Sequence, residues 1–400
     1  TPELKADLPD AVAIDLHVTP KSSTQEAFGR YLTELDKQAP LEVKRRLVTV
    51  SPDVATSTNM GSWVNRVGVW SRDNHPDYLE GESRPLHWKE SKGGRHLELG
   101  LSETNLFLLL GQLGLAEELS GQRLIPIGTV YDVFLTRGLG PLIYGLYQES
   151  RFIVAGTPSG VSLAAEGGAH QSVITPSILL ELPGLSYFEP TFGKELGWIM
   201  DEAIRNVVSG EPGSYFIRLS TRPVDQTMLP VPEDPIELSA LKRRVIDGCY
   251  RLRRASEAFS ERVHIFAVGA IVPEALAAIP LLEEEGISPN IFAVTSPGKL
   301  FKRSLVAAQS EIENARHVHD PFQLLGSDET TTPVVTAMDG HPHTLSFIGS
   351  ALNCPSSNLG VERFGESGTI RDLYSVMRID AEAIASASIG LLSRVHEVRN

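Results

Sequence analysis

Three short clusters in this 400-residue sequence hold side chains whose types and spacing suit chemistry. Glu103 precedes an apolar run, where a strand is expected to pass into a helix, and a carboxylate there can accept a proton or a hydrogen bond. Tyr131 and Phe134 are three residues apart, which puts both rings on one face of a helix. A glycine-rich turn runs from Glu166 to His170, and its permissive backbone can bring an imidazole close to a small ligand.

Each cluster also has an ordinary structural interpretation. An acid at the start of a helix is commonly a capping residue that interacts favourably with the helix dipole. A pair of aromatic side chains on one helical face is usually part of a core, and a single histidine in a loop is usually solvated. The glycine-rich turn is not a GxGxxG nucleotide fingerprint, and no GxxxxGK[ST] motif occurs in the sequence. Taken one at a time, the clusters define no activity.

The elements that must position these residues are predicted to alternate between helices and short apolar strands. In the first part of the chain, strands are predicted at 46–50, 123–127, 152–155, 185–188 and 215–219, with helices at about 24–35, 103–115, 132–147, 171–178 and 191–209. In the last part, strands are predicted near 263, at 287–294, 333–337 and 345–348, with a terminal helix at about 380–395. Such alternation predicts a parallel sheet covered by helices on both faces.

The predicted fold class is therefore α/β, with two doubly wound domains. We expect a linker at 1–20, a first domain at 21–225 with a mobile loop at 71–94, a second linker at 226–255 and a second domain at 256–400. The loop is predicted because its sequence is polar, rich in charge, proline and glycine, and without periodicity.

Composition and charge argue against several classes of protein. The net charge is −14 and no run of lysine or arginine occurs, so nucleic acid is not an expected partner. The longest apolar stretch, 106–116, is too short to span a bilayer, so no membrane segment is expected. Two cysteines, Cys249 and Cys354, exclude a disulfide framework and favour the reducing cytoplasm.

In their order and spacing the three clusters resemble the transketolase-like superfamily of thiamine-diphosphate enzymes, and most of all the decarboxylating component of the homodimeric type of pyruvate dehydrogenase. Residues 100–103 (GLSE) match the family's Gly-Ile-Asn-Glu, 130–134 (VYDVF) its Tyr-Tyr-Ser-Met-Phe, and 166–170 (EGGAH) its Glu-Gly-x-x-His. Weaker matches lie at 50–56, 60–61, 364–367 and 371–373, so the resemblance covers nearly all of the chain. It implies a pyrimidine-binding domain followed by a transketolase C-terminal-like domain.

The resemblance implies roles for the residues that match. Glu103 would hydrogen-bond the pyrimidine ring of thiamine diphosphate and favour its reactive tautomer, which makes it both catalytic and cofactor-binding. Phe134 would stack on the pyrimidine and Tyr131 would line the same pocket. His170 would be the second catalytic residue, as a proton donor or hydrogen-bond partner of the substrate.

Four further residues are candidate substrate contacts. Glu166 lies in the histidine turn, Arg222 lies in a segment similar to the Thr-Arg-Gln of transketolase, and His75 and His87 lie in the loop that orders over the active site in the family. No metal ligand is predicted, because the family's Gly-Asp-Gly and downstream Asn-Asn motif is absent from the sequence. The ligands of Mg²⁺ are thus expected on a diphosphate-binding chain or on an N-terminal domain outside this sequence.

The resemblance implies a component that decarboxylates a 2-oxo acid, pyruvate first of all, and passes the acyl group to a lipoyl-bearing acyltransferase. It implies a second copy of the chain, in a homodimer or a heterotetramer, acting in glycolytic metabolism in the cytoplasm. Two alternatives stay open. The pair His170-Gln171 and Arg222 also resemble transketolase, which favours a split ketol transferase. The third interpretation is a non-catalytic structural subunit.

Overall fold

The first domain of the computed structural model is built on one sheet. The model describes residues 12–73, 81, 87, 89–315 and 318–399. The strands of the first domain are β1 (Lys21–Ser22), β2 (Leu47–Ser51), β3 (Val69–Trp70), β4 (Glu90–Ser91), β5 (His96–Glu98), β6 (Ile125–Val130), β7 (Ile153–Gly156), β8 (Leu185–Phe188), β9 (Ser214–Arg218) and β10 (Val224–Asp225). Within these ranges the main sheet has the order β4-β3-β5-β2-β6-β7-β9-β8, with parallel pairing throughout, and β1 pairs antiparallel with β10.

Helices cover both faces of this sheet. They are α1 (Thr24–Gln38), α2 (Leu41–Arg46), α3 (Gly61–Val67), α4 (Glu103–Gly114), α5 (Ala116–Ser120), α6 (Leu139–Tyr147), α7 (Thr175–Glu181) and α8 (Gly193–Ser209), with a 3-10 helix at Asp132–Gly138. Helices α1, α3 and α8 bury their apolar residues in one core, and α4, α6 and α7 bury theirs in another on the opposite face. Two apolar layers of this kind favour nearly continuous apolar runs in the central strands, as in β7 (IVAG).

The second domain repeats the same architecture on a smaller scale. Its strands are β11 (Cys249–Arg253), β12 (Glu261–Val268), β13 (Ile287–Val294), β14 (Val334–Ala337) and β15 (Ser356–Leu359). Its helices are α9 (Pro235–Asp247), α10 (Val272–Glu284), α11 (Pro297–Asn314), α12 (Phe347–Ala351), α13 (Ile370–Met377) and α14 (Ala381–Arg399), with 3-10 helices at Gln226–Met228, Gly269–Ile271 and Pro342–Leu345. The strand order is β11-β13-β12-β14-β15, in which only β11 pairs antiparallel within the described part of the chain.

The predicted α/β class with two doubly wound domains is confirmed, and some local predictions differ from the structure. The stretch 226–255, expected as a linker, contains α9 and β11, and β11 hydrogen-bonds to β13 in the second sheet. Residues 345–348, expected as a strand, end a 3-10 helix and begin α12. A short apolar run carries no period long enough to separate the two states.

The loop expected at 71–94 is described only in part. Residues 74–80, 82–86 and 88 lie outside the described residues, and the end of the segment forms β4, which pairs with β3. Among the described helices, none is long and apolar enough to cross a membrane.

The sheet brings the three sequence clusters to the carboxyl-terminal ends of its strands, which we call the site edge. Glu103 follows β5, Tyr131 follows β6 directly, and the turn that ends at His170 follows β7. Because these strands are parallel, their carboxyl ends lie on the same side of the sheet. In open parallel sheets that side is where ligands bind.

Candidate functional site

Glu103 is the first residue of α4, and its carboxylate is largely enclosed. Its side chain is 8% exposed, and Gly100 (φ +68°) turns the chain ahead of the helix. The helix N-terminus carries a partial positive charge, which attracts the carboxylate. Oε1 of Glu103 lies 3.1 Å from Nη1 of Arg137, whose side chain is 56% exposed. A largely buried carboxylate is thus paired with an accessible arginine.

Tyr131 and Phe134 form an aromatic pair beside this carboxylate. Their ring centroids are 6.0 Å apart and their planes differ by 15°, so the rings are stacked. The N–H of Phe134 donates to the carbonyl of Tyr131 at 2.9 Å, and this 3-10 turn fixes the spacing of the rings. Desolvation raises the pKa of Tyr131, with Glu166 adding to the effect and a hydrogen bond with Ser57 opposing it, so the phenol stays neutral. The pair offers a flat apolar wall next to a charge.

Arg137 links the wall to the carboxylate, although the sequence analysis did not select it. Its guanidinium carbon lies 3.9 Å from the centroid of the Phe134 ring, a cation–π contact. The hydroxyl of Thr104 donates to the Arg137 carbonyl at 2.9 Å. A Cβ on Gly138 would lie 2.3 Å from the Phe107 ring, so the backbone is pressed against α4 here. The available signal was a basic residue three positions after Phe134, on the same helical face.

His170 closes the third side of the site. Its ring meets Phe134 edge-on with centroids 5.6 Å apart, and meets Tyr131 edge-on at 6.0 Å. Nδ1 of His170 lies 4.0 Å from Oε2 of Glu166, and both side chains are 40% exposed. This Nδ1 atom is buried and has no hydrogen-bond partner within the described part of the chain. Buried polar atoms without a hydrogen-bond partner are rare in folded proteins.

The second domain supports the histidine turn. The side-chain amide of Gln171 donates to the carbonyls of Leu163 at 3.2 Å and Glu366 at 3.0 Å. A Cβ on Gly168 would lie 2.3 Å from the carbonyl oxygen of Gly365, so only glycine permits this close approach. The 364–367 segment, which the sequence analysis singled out by resemblance, therefore packs directly on the turn that carries His170.

Arg222 and His87 are not part of this grouping. Arg222 donates to the Ala270 carbonyl at 2.7 Å and pairs with Glu274, and its guanidinium lies over the Tyr374 ring. The backbone N–H of His87, which is exposed, donates to the Asn65 side chain at 2.7 Å. His75 lies outside the described residues. Their proposed contact with a substrate stays a prediction.

A second charged cluster lies directly behind the site, and the sequence analysis missed it. Asp132 ion-pairs with Nε of Arg218, and Nη1 of Arg218 lies 2.7 Å from Oε1 of Glu189. The side chains are 1% exposed for Arg218, 0% for Asp132 and 6% for Glu189. Desolvation raises the pKa of both carboxyls, and the charge of Arg218 opposes that rise. The cluster anchors Asp132, the neighbour of Tyr131, in the interior.

Comparison with known proteins agrees with this architecture. Residues 248–380 match the transketolase-like TK C-terminal domain, and residues 17–221 match the pyruvate dehydrogenase E1 component middle domain. Pyruvate dehydrogenase E1 components and transketolases both use thiamine diphosphate. The match to residues 17–221 spans just over half of this chain. The chain therefore belongs to the family of the pyruvate dehydrogenase E1 component middle domain.

The relatives are longer than this chain. The pyruvate dehydrogenase E1 component of Mycolicibacterium smegmatis is 23% identical over 365 residues, which cover 88% of this chain and 38% of the relative. The corresponding protein of Mycobacterium tuberculosis is 24% identical over 366 residues, covering 89% of this chain and 38% of its own. The chain thus spans about two fifths of the length of these curated relatives.

Two solved structures share the fold. Transketolase from Leishmania mexicana superposes with a TM-score of 0.70 at 18% identity, over 95% of this chain and 47% of that chain. A split-gene transketolase, an inactive beta4 tetramer, superposes with a TM-score of 0.61 at 20% identity, over 93% of this chain and 99% of that chain. In the split-gene transketolase, the same two-domain fold makes up nearly the whole polypeptide.

The geometry fits the pyrimidine end of thiamine diphosphate. The planar guanidinium of Arg137 contacts the Glu103 carboxylate and the face of the Phe134 ring together, so a flat nitrogen heterocycle fits the same two groups. Glu103, Phe134 and Tyr131 are the residues that would hold it. In the described ranges no group of three or more His, Cys, Asp or Glu side chains is placed to hold a metal ion.

Proposed function

We propose that this chain is the pyrimidine-binding half of a thiamine-diphosphate-dependent 2-oxo acid dehydrogenase component, with pyruvate as its substrate. The reaction releases the carboxyl group as CO₂ and joins the remaining acyl group to one sulfur of a lipoyl disulfide, whose other sulfur becomes a thiol. One observation carries the proposal, namely the enclosed Glu103 carboxylate beside the stacked Tyr131 and Phe134 rings and the His170 imidazole, in a chain related to E1 components.

Each residue of the site has a task that its surroundings support. Bound thiamine diphosphate would supply a carbon nucleophile and an electron sink for the decarboxylation. Glu103 would hold a pyrimidine nitrogen by a short charge-assisted hydrogen bond in a water-poor setting. Phe134 and Tyr131 would cover the ring, and His170 would exchange a proton with the substrate oxygen. Glu166, with Oε2 4.0 Å from Nδ1 of His170, would lie beside the same substrate.

The other end of the cofactor calls for a second polypeptide segment. The sequence has no Gly-Asp-Gly and Asn-Asn motif, so we assign the diphosphate and Mg²⁺ to a domain supplied elsewhere. The related two-domain chain of split-gene transketolase is an inactive beta4 tetramer, which supports the need for a partner chain. We also propose a second copy of this chain, a lipoyl-bearing acyltransferase, and a cytoplasmic location that suits the two unpaired buried cysteines.

The test is a panel of 2-oxo acids with the reconstituted holoenzyme and an artificial electron acceptor. The partner chain is the one that copurifies and carries Gly-Asp-Gly and Asn-Asn. We expect pyruvate turnover that falls at least ~100-fold on Glu103→Gln, since one preorganised charge interaction contributes on that scale. Arg205→Gln serves as the control, because Arg205 pairs with Glu202 on the exposed side of α8. Transfer between sugar phosphates without decarboxylation would contradict the proposal.

A split transketolase is the second candidate. The extent of the split-gene transketolase chain and the His170-Gln171 pair favour it. In that case Arg222→Ala would raise the Michaelis constant for a sugar phosphate strongly, and an unchanged constant would count against this candidate. The non-catalytic alternative predicts an assembly that needs this chain for stability and keeps full turnover when Glu103 is replaced by Gln.

A further inference from the structure

Arg137 makes the two contacts that the proposed function assigns to the pyrimidine ring. Its Nη1 atom lies 3.1 Å from the Glu103 carboxylate, and its guanidinium carbon lies over the Phe134 ring, 3.9 Å from the centroid. A guanidinium resembles an aminopyrimidine in being flat and in presenting N–H groups at its edge. The two groups therefore compete for the same carboxylate and the same aromatic face.

We propose that Arg137 is a built-in competitor of the cofactor, a side chain that occupies the pyrimidine site until the cofactor displaces it. The inference rests on the proposed function, because it concerns the same site. It assigns to Arg137 a regulatory contact that sets how readily the site is loaded.

The anchoring of Arg137 suits such an exchange. Its backbone is fixed to α4, since Thr104 donates to its carbonyl and Gly138 is packed against Phe107. Its side chain is 56% exposed and can swing into solvent without disturbing the core. The backbone thus keeps the guanidinium within reach of Glu103, while the side chain remains free to leave.

The contact also compensates a charge. The Glu103 side chain is 8% exposed, and besides the N-terminus of α4 a positive partner stabilises it. Arg137 supplies that partner as long as no other donor is bound. A cofactor held only by its pyrimidine end must displace this partner, whereas one held also through its diphosphate gains further contacts. Loading is then coupled to the arrival of the diphosphate-binding domain.

Competition of this kind lowers the apparent affinity by the fraction of molecules in which the site is open. An exposed ion pair together with a cation–π contact is weak, so the expected effect on the affinity is on the order of fivefold. We expect Arg137→Gln to bind an isolated aminopyrimidine more tightly than the wild type by about that factor. Arg137→Lys keeps the charge and loses the plane, so it should fall between the two.

The experiment titrates the full chain with 4-amino-5-hydroxymethyl-2-methylpyrimidine and with thiamine, followed by calorimetry and by the NMR signal of the Arg137 Nε–H group. In the wild type that signal should be shifted by the Phe134 ring current, and it should move towards its free position as the probe binds. Arg205→Gln is the matched control and should bind like the wild type.

Two contrary results are distinguishable. If Glu103→Gln abolishes binding but Arg137→Gln binds no more tightly than the wild type, or more weakly, the competitor is excluded while the proposed function stands. If neither the wild type nor Arg137→Gln binds either probe, and the Nε–H signal never moves, the proposed function fails and the competitor fails with it.

Discussion

Two arginine–carboxylate clusters lie back to back in this chain and differ chiefly in their burial. In the inner cluster, Arg218 bridges Asp132 and Glu189, and no side chain of the three is more than 6% exposed. In the outer cluster, Arg137 meets Glu103 with its own side chain 56% exposed. One short segment after β6 supplies a member of each, Asp132 to the inner cluster and Arg137 to the outer.

The difference shows how the same kind of ion pair can either fix the fold or respond to a ligand. A buried ion pair cannot open without leaving an uncompensated charge in the interior, so the inner cluster is a fixed part of the fold. A half-exposed pair exchanges its partner for water or for a ligand at small cost. The inner cluster holds the segment in place, and the outer cluster is the part that can respond to a ligand.

Breaking the inner cluster should have the largest effect. Arg218→Met leaves Asp132 and Glu189 without their cation, and we expect a loss of about 3–5 kcal/mol in the free energy of unfolding. Urea unfolding followed by circular dichroism measures it. Arg205→Met, at an exposed pair, should cost less than about 1 kcal/mol. Equal losses in the two variants would show that burial does not separate the clusters.

Crowding the outer cluster should come next. A Cβ on Gly138 would meet the Phe107 ring at 2.3 Å and the Glu103 carbonyl at 2.9 Å. Gly138→Ala should therefore cost about 1–3 kcal/mol in the same unfolding measurement, as overpacked positions do. Gly140→Ala is the control, because nothing lies within 4 Å of a Cβ there. A Gly138→Ala variant as stable as Gly140→Ala would mean that the backbone beside Arg137 is loosely held.

Removing one of the two inner carboxylates should cost less than removing the arginine, and its effect should depend on pH. Desolvation raises the pKa of Glu189 in the folded chain, so the folded state binds a proton more readily than the unfolded state. This contribution to wild-type stability is present at low pH and is lost as the pH rises through the folded-state pKa. Glu189→Gln, which cannot titrate, lacks that dependence.

The measurement is urea unfolding of the wild type and Glu189→Gln at pH 5, 6 and 7. The stability difference should move in favour of the wild type as the pH falls. A difference that stays constant, or that moves the other way, would show that Arg218 outweighs the desolvation of Glu189.

Removing the outer cation should have the smallest effect on stability. Arg137→Gln removes a pair whose arginine is 56% exposed, and Glu103 keeps its place at the N-terminus of α4. We expect the free energy of unfolding to change by less than about 1 kcal/mol. The same variant is expected to change ligand affinity. The two measurements together therefore show whether Arg137 acts on ligand binding or on the stability of the fold. A loss near that of Arg218→Met would place Arg137 among the fixed parts of the fold.

The sequence was informative where signals are local. The strands at 185–188 and 287–294 were predicted with the bounds that the structure has, because each lies between a glycine and a proline that mark turns. Glu103 was selected from its place before an apolar helix, and it is the first residue of α4. The resemblance placed Tyr131, Phe134 and His170 in one site, and the structure brings their rings within about 6 Å of one another. Their roles in binding and catalysis remain predictions.

The residues that were missed depend on contacts distant in sequence. Asp132 and Arg218 are 86 positions apart, and neither lies in a motif that identifies the other. Arg218 ends β9, where a strand-terminal arginine is ordinarily solvated. Arg137 contacts Glu103 across 34 positions, a contact set by the packing of Gly138 on α4. Pairings of this kind become visible only when the sheet order is known.

The hydrogen bond from Gln171 to the Glu366 carbonyl has a practical consequence for anyone who wishes to cut the protein into modules. An excised fragment ending near residue 221 would retain Glu103, Tyr131, Phe134 and His170. The turn that carries His170 would, however, lose its contact with the 364–367 segment. A minimal transplantable unit must therefore include the strip around 364–367, even though that strip is remote in the primary structure. Recombination between distant homologues would have to carry both pieces from the same parent.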